Sequence, residues 1–459
     1  MRVALGKVEV WRSLGTDSLT VARRRLSHAA AAVEDQFSEA AARAGLVIDT
    51  PWTVGRIDRL NRAAEETITP SDAGELGPSL RHVYDAYMAD PTHDWSPRTR
   101  MAYETTRRMT LSILGPDLPI RAVTRARCRQ FIEVLRWTPR NASKLYPQIS
   151  SLRISELAKR DGRSDLISPS NINTYLNKFG GVLNWALREE LIDRNPALGL
   201  RVADTTLRRD KRLPFSTRQL RAIFSAPLYT GCRDDGHGYA TLGPNRPKNA
   251  RFWIPLIALF NGLRLNEACQ LDVADVRIVG GITCFVVTAS AHGPTDKRLK
   301  TASSERLVPV HPELLTLGFV AFVEERARAG KAKLFGEVTL GSTGYRSATF
   351  SAWFARFAAK ESASTDKTCF HSFRHSFRDA LREAGIDRDV ALALGGWSRA
   401  GGAGGSASIG DAYGSGYRAA TLFDAVRKVS YPDLDLSHLR EPYRSSTDVD
   451  AEGRGDCRH

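Results

Sequence analysis

The chain has 459 residues and a mass of 50.6 kDa. Its 42% hydrophobic and 25% charged residues are ordinary globular usage and exclude a collagen, a low-complexity chain and a wholly disordered protein. Lys and Arg number 66 against 51 Asp and Glu, and this net charge of +15 favours a polyanionic partner.

At roughly 150 residues per domain, the length suggests about three units. The longest strongly apolar stretch, 252–263, has 12 residues. A bilayer span needs about 20, so no transmembrane helix and no membrane partner is expected. Lys7, Glu9 and Arg12 interrupt any signal-peptide core. The six cysteines, at 128, 232, 269, 284, 369 and 457, include no C-x-x-C pair. They are expected to be reduced thiols of a cytoplasmic protein.

Residues 1–76 form an N-terminal unit with an apolar patch (Val8, Val10, Trp11) and a helix expected from about Asp17-Ser18 towards Ala44, stopped by Gly45. The stretch 68–78 is punctuated by Pro and Gly and reads as a linker. Residues 79–202 are helical by pattern. One helix should start at Ser96-Pro97 and stop before Gly115-Pro116. A second should begin after Thr124. A third should begin at Ser168-Pro169, with Leu176, Phe179, Leu183 and Leu187 as its apolar stripe. Its other face carries Asn171, Lys178, Asn184 and Arg188. Together with Arg121, Arg125, Arg127 and Arg129, the basic members make a candidate DNA-backbone patch; a solvated surface is the competing reading.

Residues 203–212 (ADTTLRRDKR) read as a basic linker. Within 213–432, residues 251–260 read as a buried helix broken at Asn261-Gly262. A strand pair turns at Gly280-Gly281, and 306–310 is a further strand that Pro309 should confine to an edge. Helices are expected over 348–359 and 371–384. After Pro432 the chain is acidic and poor in apolar residues, so 433–459 is expected to be a mostly disordered tail.

Several residues carry chemistry. Arg264 follows a Gly break at a helix start, with Glu267 three residues on to pair with it. His371, Arg374 and His375 stand at i, i+3 and i+4 and share a helix face. Two His at i and i+4 match the spacing of H-E-x-x-H. Position 372 is Ser, however, and no third ligand is apparent, so no metal site is expected. Lys300 lies between strand candidates. Gly395-Gly396-Trp397 precedes a Gly-rich run that ends in Tyr413 and Tyr417. These residue types suit attack on a phosphodiester. Two guanidiniums can clamp the non-bridging oxygens, a phenol can attack, and a Lys or His can protonate the leaving sugar oxygen. Such a reaction needs no cofactor.

Arg264 in GLRLNEACQL, Lys300, HSFRH over 371–375, GGW over 395–397 and Tyr413 follow the order and relative spacing of the tyrosine recombinase (phage integrase) family, which the chain resembles over about 213–432. The resemblance implies a mostly α fold with a small β-sheet: a helical core-binding domain over 79–202 and a mixed α/β catalytic domain. The region 1–76 is only weakly similar to an arm-type or accessory region. Arg264 and Arg374 would clamp the phosphate, and Lys300 would be the hairpin general acid. His371 would assist proton transfer, with His375 in support. Trp397 would donate to a phosphate oxygen, and Glu267 would order Arg264. Tyr413 would be the nucleophile, leaving a 3′-phosphotyrosyl link without metal or ATP.

Tyr413 follows Trp397 by 16 residues, farther than the family commonly places it. An insertion is inferred, and Tyr417 stays open as the alternative nucleophile. The implied partner is double-stranded DNA in a bacterial nucleoid, bound as a homo-tetramer on synapsed sites; a directionality or host DNA-bending factor is admitted. The competing readings are a non-catalytic DNA-binding remnant and a type IB topoisomerase-like enzyme.

Overall fold

The computed structural model describes residues 76–205, 212–289, 297–299, 304–397 and 416–440. The expected N-terminal helix, most of the 68–78 and 203–212 linkers, Lys300, Tyr413 and everything after Arg440 lie outside the described residues. The fold is mostly α with one small sheet.

Residues 80–197 build one hydrophobic core. Its main helices are α1 (Leu80–Ala89), α2 (Pro97–Leu114), α3 (Arg125–Arg136), α4 (Ser151–Arg160) and α5 (Pro169–Arg188). Each begins the same way. Ser79, Ser96, Thr124, Ser150 and Ser168 accept, through the side chain, the backbone N–H three residues on. Each such cap contributes about 1 kcal/mol. Ser96-Pro97 and Ser168-Pro169 start helices as the sequence predicts. The buried face of α5 runs through Ile172, Leu176, Phe179, Val182, Leu183 and Ala186. Val182 and Ala186 rotate that face away from Leu187, which is exposed instead of completing the predicted stripe. Tyr84, Phe131 and Phe179 fill the centre, and the Tyr84 hydroxyl donates to Thr110.

Residues 215–439 build a second core. Its central helix, α6 (Ala250–Asn261), is buried on all sides, which explains its continuous apolar sequence. Gly262 ends it at φ +64°, and α7 (Leu265–Cys269) starts just beyond. Strands β1 (Val276–Val279), β2 (Ile282–Val287) and β3 (Arg306–Pro309) form an antiparallel sheet in that order. Gly280 and Gly281 both take positive φ in the β1–β2 turn, a conformation that glycine adopts without strain. Pro309 lies opposite Cys284 on an edge strand, as its missing N–H requires. Helices α8 (Ser347–Lys360), α9 (Ser372–Glu383) and α10 (Arg388–Gly395) follow. A last helix, α11 (Ala419–Val426), packs on β2 and β3.

The expected tail does not begin at 433. Leu436 and Leu439 are buried in the second core, and His438 Nε2 lies 2.8 Å from the Phe224 carbonyl. Arg440 makes a two-pronged contact with Glu313. The acidic composition concealed these leucines because their spacing follows no helix or strand period. Cys128, Cys232, Cys269, Cys284 and Cys369 are free thiols. Among the described residues no helix is long and apolar enough to cross a membrane.

At Gly262 a Cβ would stand 2.2 Å from the buried Phe377 ring, in a left-handed backbone conformation. Gly262→Ala is expected to lower unfolding stability by about 2 kcal/mol or more in urea titrations. A variant as stable as the parent would show that this turn relaxes freely.

Candidate active site

Three arginines from three separate elements meet around one carboxylate. Glu267, on α7, is buried, and both of its oxygens are used. Oε1 accepts from Arg264 Nη1 at 2.6 Å. Oε2 accepts from Arg306 Nη2 and from the backbone N–H of Arg264, each at 2.8 Å. The second contact caps α7, so one side chain starts the helix and aims its neighbour's guanidinium. Burial alone would raise the Glu267 carboxyl, but the Arg306 and Arg264 guanidiniums outweigh it and hold it down at about 2.

The third arginine, Arg374, projects from α9 and donates to the carbonyls of Gly262 and Gly395. The end of α10 then presents three successive carbonyls to three different guanidiniums. Leu394 accepts from Arg306 Nε at 2.8 Å, Gly395 from Arg374, and Gly396 from Arg264 Nη2 at 2.6 Å. These are groups that a helix C-terminus leaves unsatisfied, at its negative pole. Gly396 takes φ +56° there, where a Cβ would stand 3.1 Å from Arg306 Nη1.

Among the described residues charge does not balance at this spot, since three guanidiniums face one carboxylate. Burial first, and then the neighbouring Arg264 and Arg306 cations, push Arg374 down to about 8. The cluster therefore favours an added anion. Arg264 keeps 24% of its side chain exposed and can meet one, whereas Arg306, at 6%, has all three of its nitrogens donating to protein partners. The Trp397 ring lies over the Arg374 guanidinium, 4.4 Å to its centroid, with Arg378 5.0 Å from the same ring. The sequence reading gave Trp397 a hydrogen-bonding role and did not foresee this stacking.

His371, exposed at the start of α9, meets the half-buried His375 edge-on at 5.1 Å between ring centroids. Burial lowers the His375 pKa and favours its neutral ring. Lys300 and Tyr413 fall outside the described residues. Nearby Lys297 is buried, with Nζ 2.7 Å from both Asp272 and Asp275, a structural pairing. Tyr417 is described and exposed. Sequence reasoning missed Arg306 entirely; a strand-initial arginine carries no local sign that its guanidinium turns inward to a distant glutamate.

The proposed backbone patch is mixed in character. Arg121 Nε donates to the Leu191 carbonyl, and Arg125 Nη1 to the Pro196 and Leu198 carbonyls, so both also brace the chain after α5. Arg127 donates to Gln130. Arg129 and Arg188 are exposed. Lys178 is partly buried against Tyr103, with Nζ 5.9 Å from the ring centroid.

Residues 248–402 match the phage integrase family, and residues 1–42 match a domain of unknown function (DUF6538). No curated protein matches the chain. Among solved structures, the Tn1549 transposon integrase in complex with a circular intermediate DNA is 16% identical, covering 82% of this chain and 99% of that one, with a TM-score of 0.49. A lambda integrase tetramer bound to a Holliday junction is 15% identical over 77% and 86% of the two chains, with a TM-score of 0.47. The integrase from mycobacterium phage Brujita is 14% identical over 81% and 98%, with a TM-score of 0.32.

Acid should expose the role of Glu267. Its folded pKa is depressed, so its stabilisation is complete above about pH 4.5 and is lost as pH falls towards 2. The gap in unfolding free energy between the parent and Glu267→Gln is expected to hold from pH 7 to 5 and shrink below 4.5. A gap that is unchanged at pH 3 would contradict the shared-carboxylate arrangement.

Proposed function

We propose that this chain, whose residues 248–402 match the phage integrase family, is a site-specific recombinase that breaks and rejoins duplex DNA through a 3′-phosphotyrosyl intermediate carried by Tyr413. The observation that carries this reading is the cluster of three arginines and one carboxylate, which among the described residues carries net positive charge and precedes the segment that leads to Tyr413.

In this reading the scissile phosphate supplies the missing negative charge. Arg264 and Arg374 donate to its non-bridging oxygens, since a guanidinium has five N–H donors and the contacts to carbonyls and Glu267 leave some free. The Trp397 ring moves off the face of Arg374 as the phosphate enters and turns its indole N–H towards an oxygen. The Tyr413 oxygen bonds to phosphorus while the bond to the 5′-oxygen breaks. Lys300 gives a proton to that oxygen, and His371, with His375 beside it, takes the phenolic proton. One phosphoester replaces another, so the reverse step rejoins the strand without ATP. The arginines neutralise the transition-state charge that a metal ion handles in other phosphoryl-transfer enzymes.

A binding remnant has no use for the cluster, because burying three guanidiniums against one carboxylate costs stability unless an anion is to be bound. The net charge of +15 suits a long duplex, and the exposed Arg129 and Arg188 are the best candidates for backbone contacts. Recombination needs two sites, so four protomers on a synapsed junction, with or without a directionality or DNA-bending factor, are the expected assembly.

A duplex nicked beside the cleavage position traps the covalent protein–DNA product. Tyr413→Phe is expected to abolish that product while duplex binding stays within about threefold of the parent. Loss in Tyr417→Phe instead would transfer the nucleophile to Tyr417. EDTA is expected to leave the yield unchanged; loss in EDTA with recovery on adding magnesium or zinc would overturn the metal-free chemistry.

A further inference from the structure

Arg306 is buried, and each of its three guanidinium nitrogens donates to a different partner in the site. Its Nη2 donates to Glu267, its Nε to Leu394 at the end of α10, and its Nη1 to the Ser304 carbonyl at 3.0 Å. These three partners belong to the three parts that the proposed reaction must align. Glu267 aims Arg264. The end of α10 leads to Trp397 and Tyr413. Ser304 closes the segment that carries Lys300.

We propose that Arg306 is a positioning residue for strand cleavage: it acts through Glu267 and the α10 terminus to set Arg264 against the scissile phosphate. The proposal rests on the reading of the site given above. Two features separate it from general packing. Glu267 divides its oxygens between Arg264 and Arg306, so without Arg306 the carboxylate can swing wholly onto Arg264 and turn that guanidinium inwards. Arg306 is also planar and forked, and it uses Nε and Nη2 on partners from two different elements. A lysine offers a single nitrogen and cannot reach both.

The test follows covalent product formation on the nicked duplex in single turnover, for the parent, Arg306→Gln and Arg306→Lys. The glutamine variant is expected to react about 100-fold more slowly and the lysine variant at least about 10-fold more slowly, with duplex affinity within about threefold of the parent for both. A second duplex carries a methylphosphonate at the cleavage position, which removes the charge that Arg264 meets. There the gap between the parent and either variant should narrow by about 10-fold or more, a change that simple loosening of the fold would not produce. If Arg306→Gln fails to fold, Arg306→Lys carries the same comparison. A lysine variant at the parental rate, or a gap of equal size on both duplexes, would overturn the positioning role. Absence of covalent product from the parent protein itself would remove the functional reading, and this inference with it.

Discussion

Everything at the site depends on the shared carboxylate of Glu267. Three guanidiniums brought together out of water repel one another, and each also loses hydration. A single buried glutamate and the carbonyls of Leu394, Gly395 and Gly396 are what make their proximity tolerable. The compensation is partial. Among the described residues the cluster keeps an excess of positive charge, built into the folded chain.

Two glycine turns make the arrangement reachable. Gly262 lets α6 end and α7 begin within a few residues, so Arg264 emerges next to Glu267, and its carbonyl also takes Arg374. Gly396 lets α10 end against Arg306. Both sit where an L side chain would be strained and would also crowd a neighbour. Fold stability and the site therefore draw on the same few residues.

Much of this was legible in the sequence. Ser96-Pro97, Thr124 and Ser168-Pro169 marked helix starts because capping is a local interaction between residues three apart. The Gly280-Gly281 turn and edge Pro309 were equally local. The Arg264–Glu267 pair and the His371–His375 contact were legible from residues three and four apart at a helix start. Arg306 was not legible, because its partners lie 39 and 88 residues away. Nor were Leu436 and Leu439, whose burial depends on a surface made by distant helices. The stacking of Trp397 on Arg374 belongs to the same class. Local chemistry names the parts, while long-range packing decides which of them face each other.

The anchoring of α11 has a geometric corollary for the phenol. Gly416 stands just ahead of a helix seated on β2 and β3, and Tyr413 precedes it by three residues. Three peptide units extend no more than about 11 Å. By chain length alone, the Cα of Tyr413 lies within that distance of Gly416, whatever number of residues precedes it.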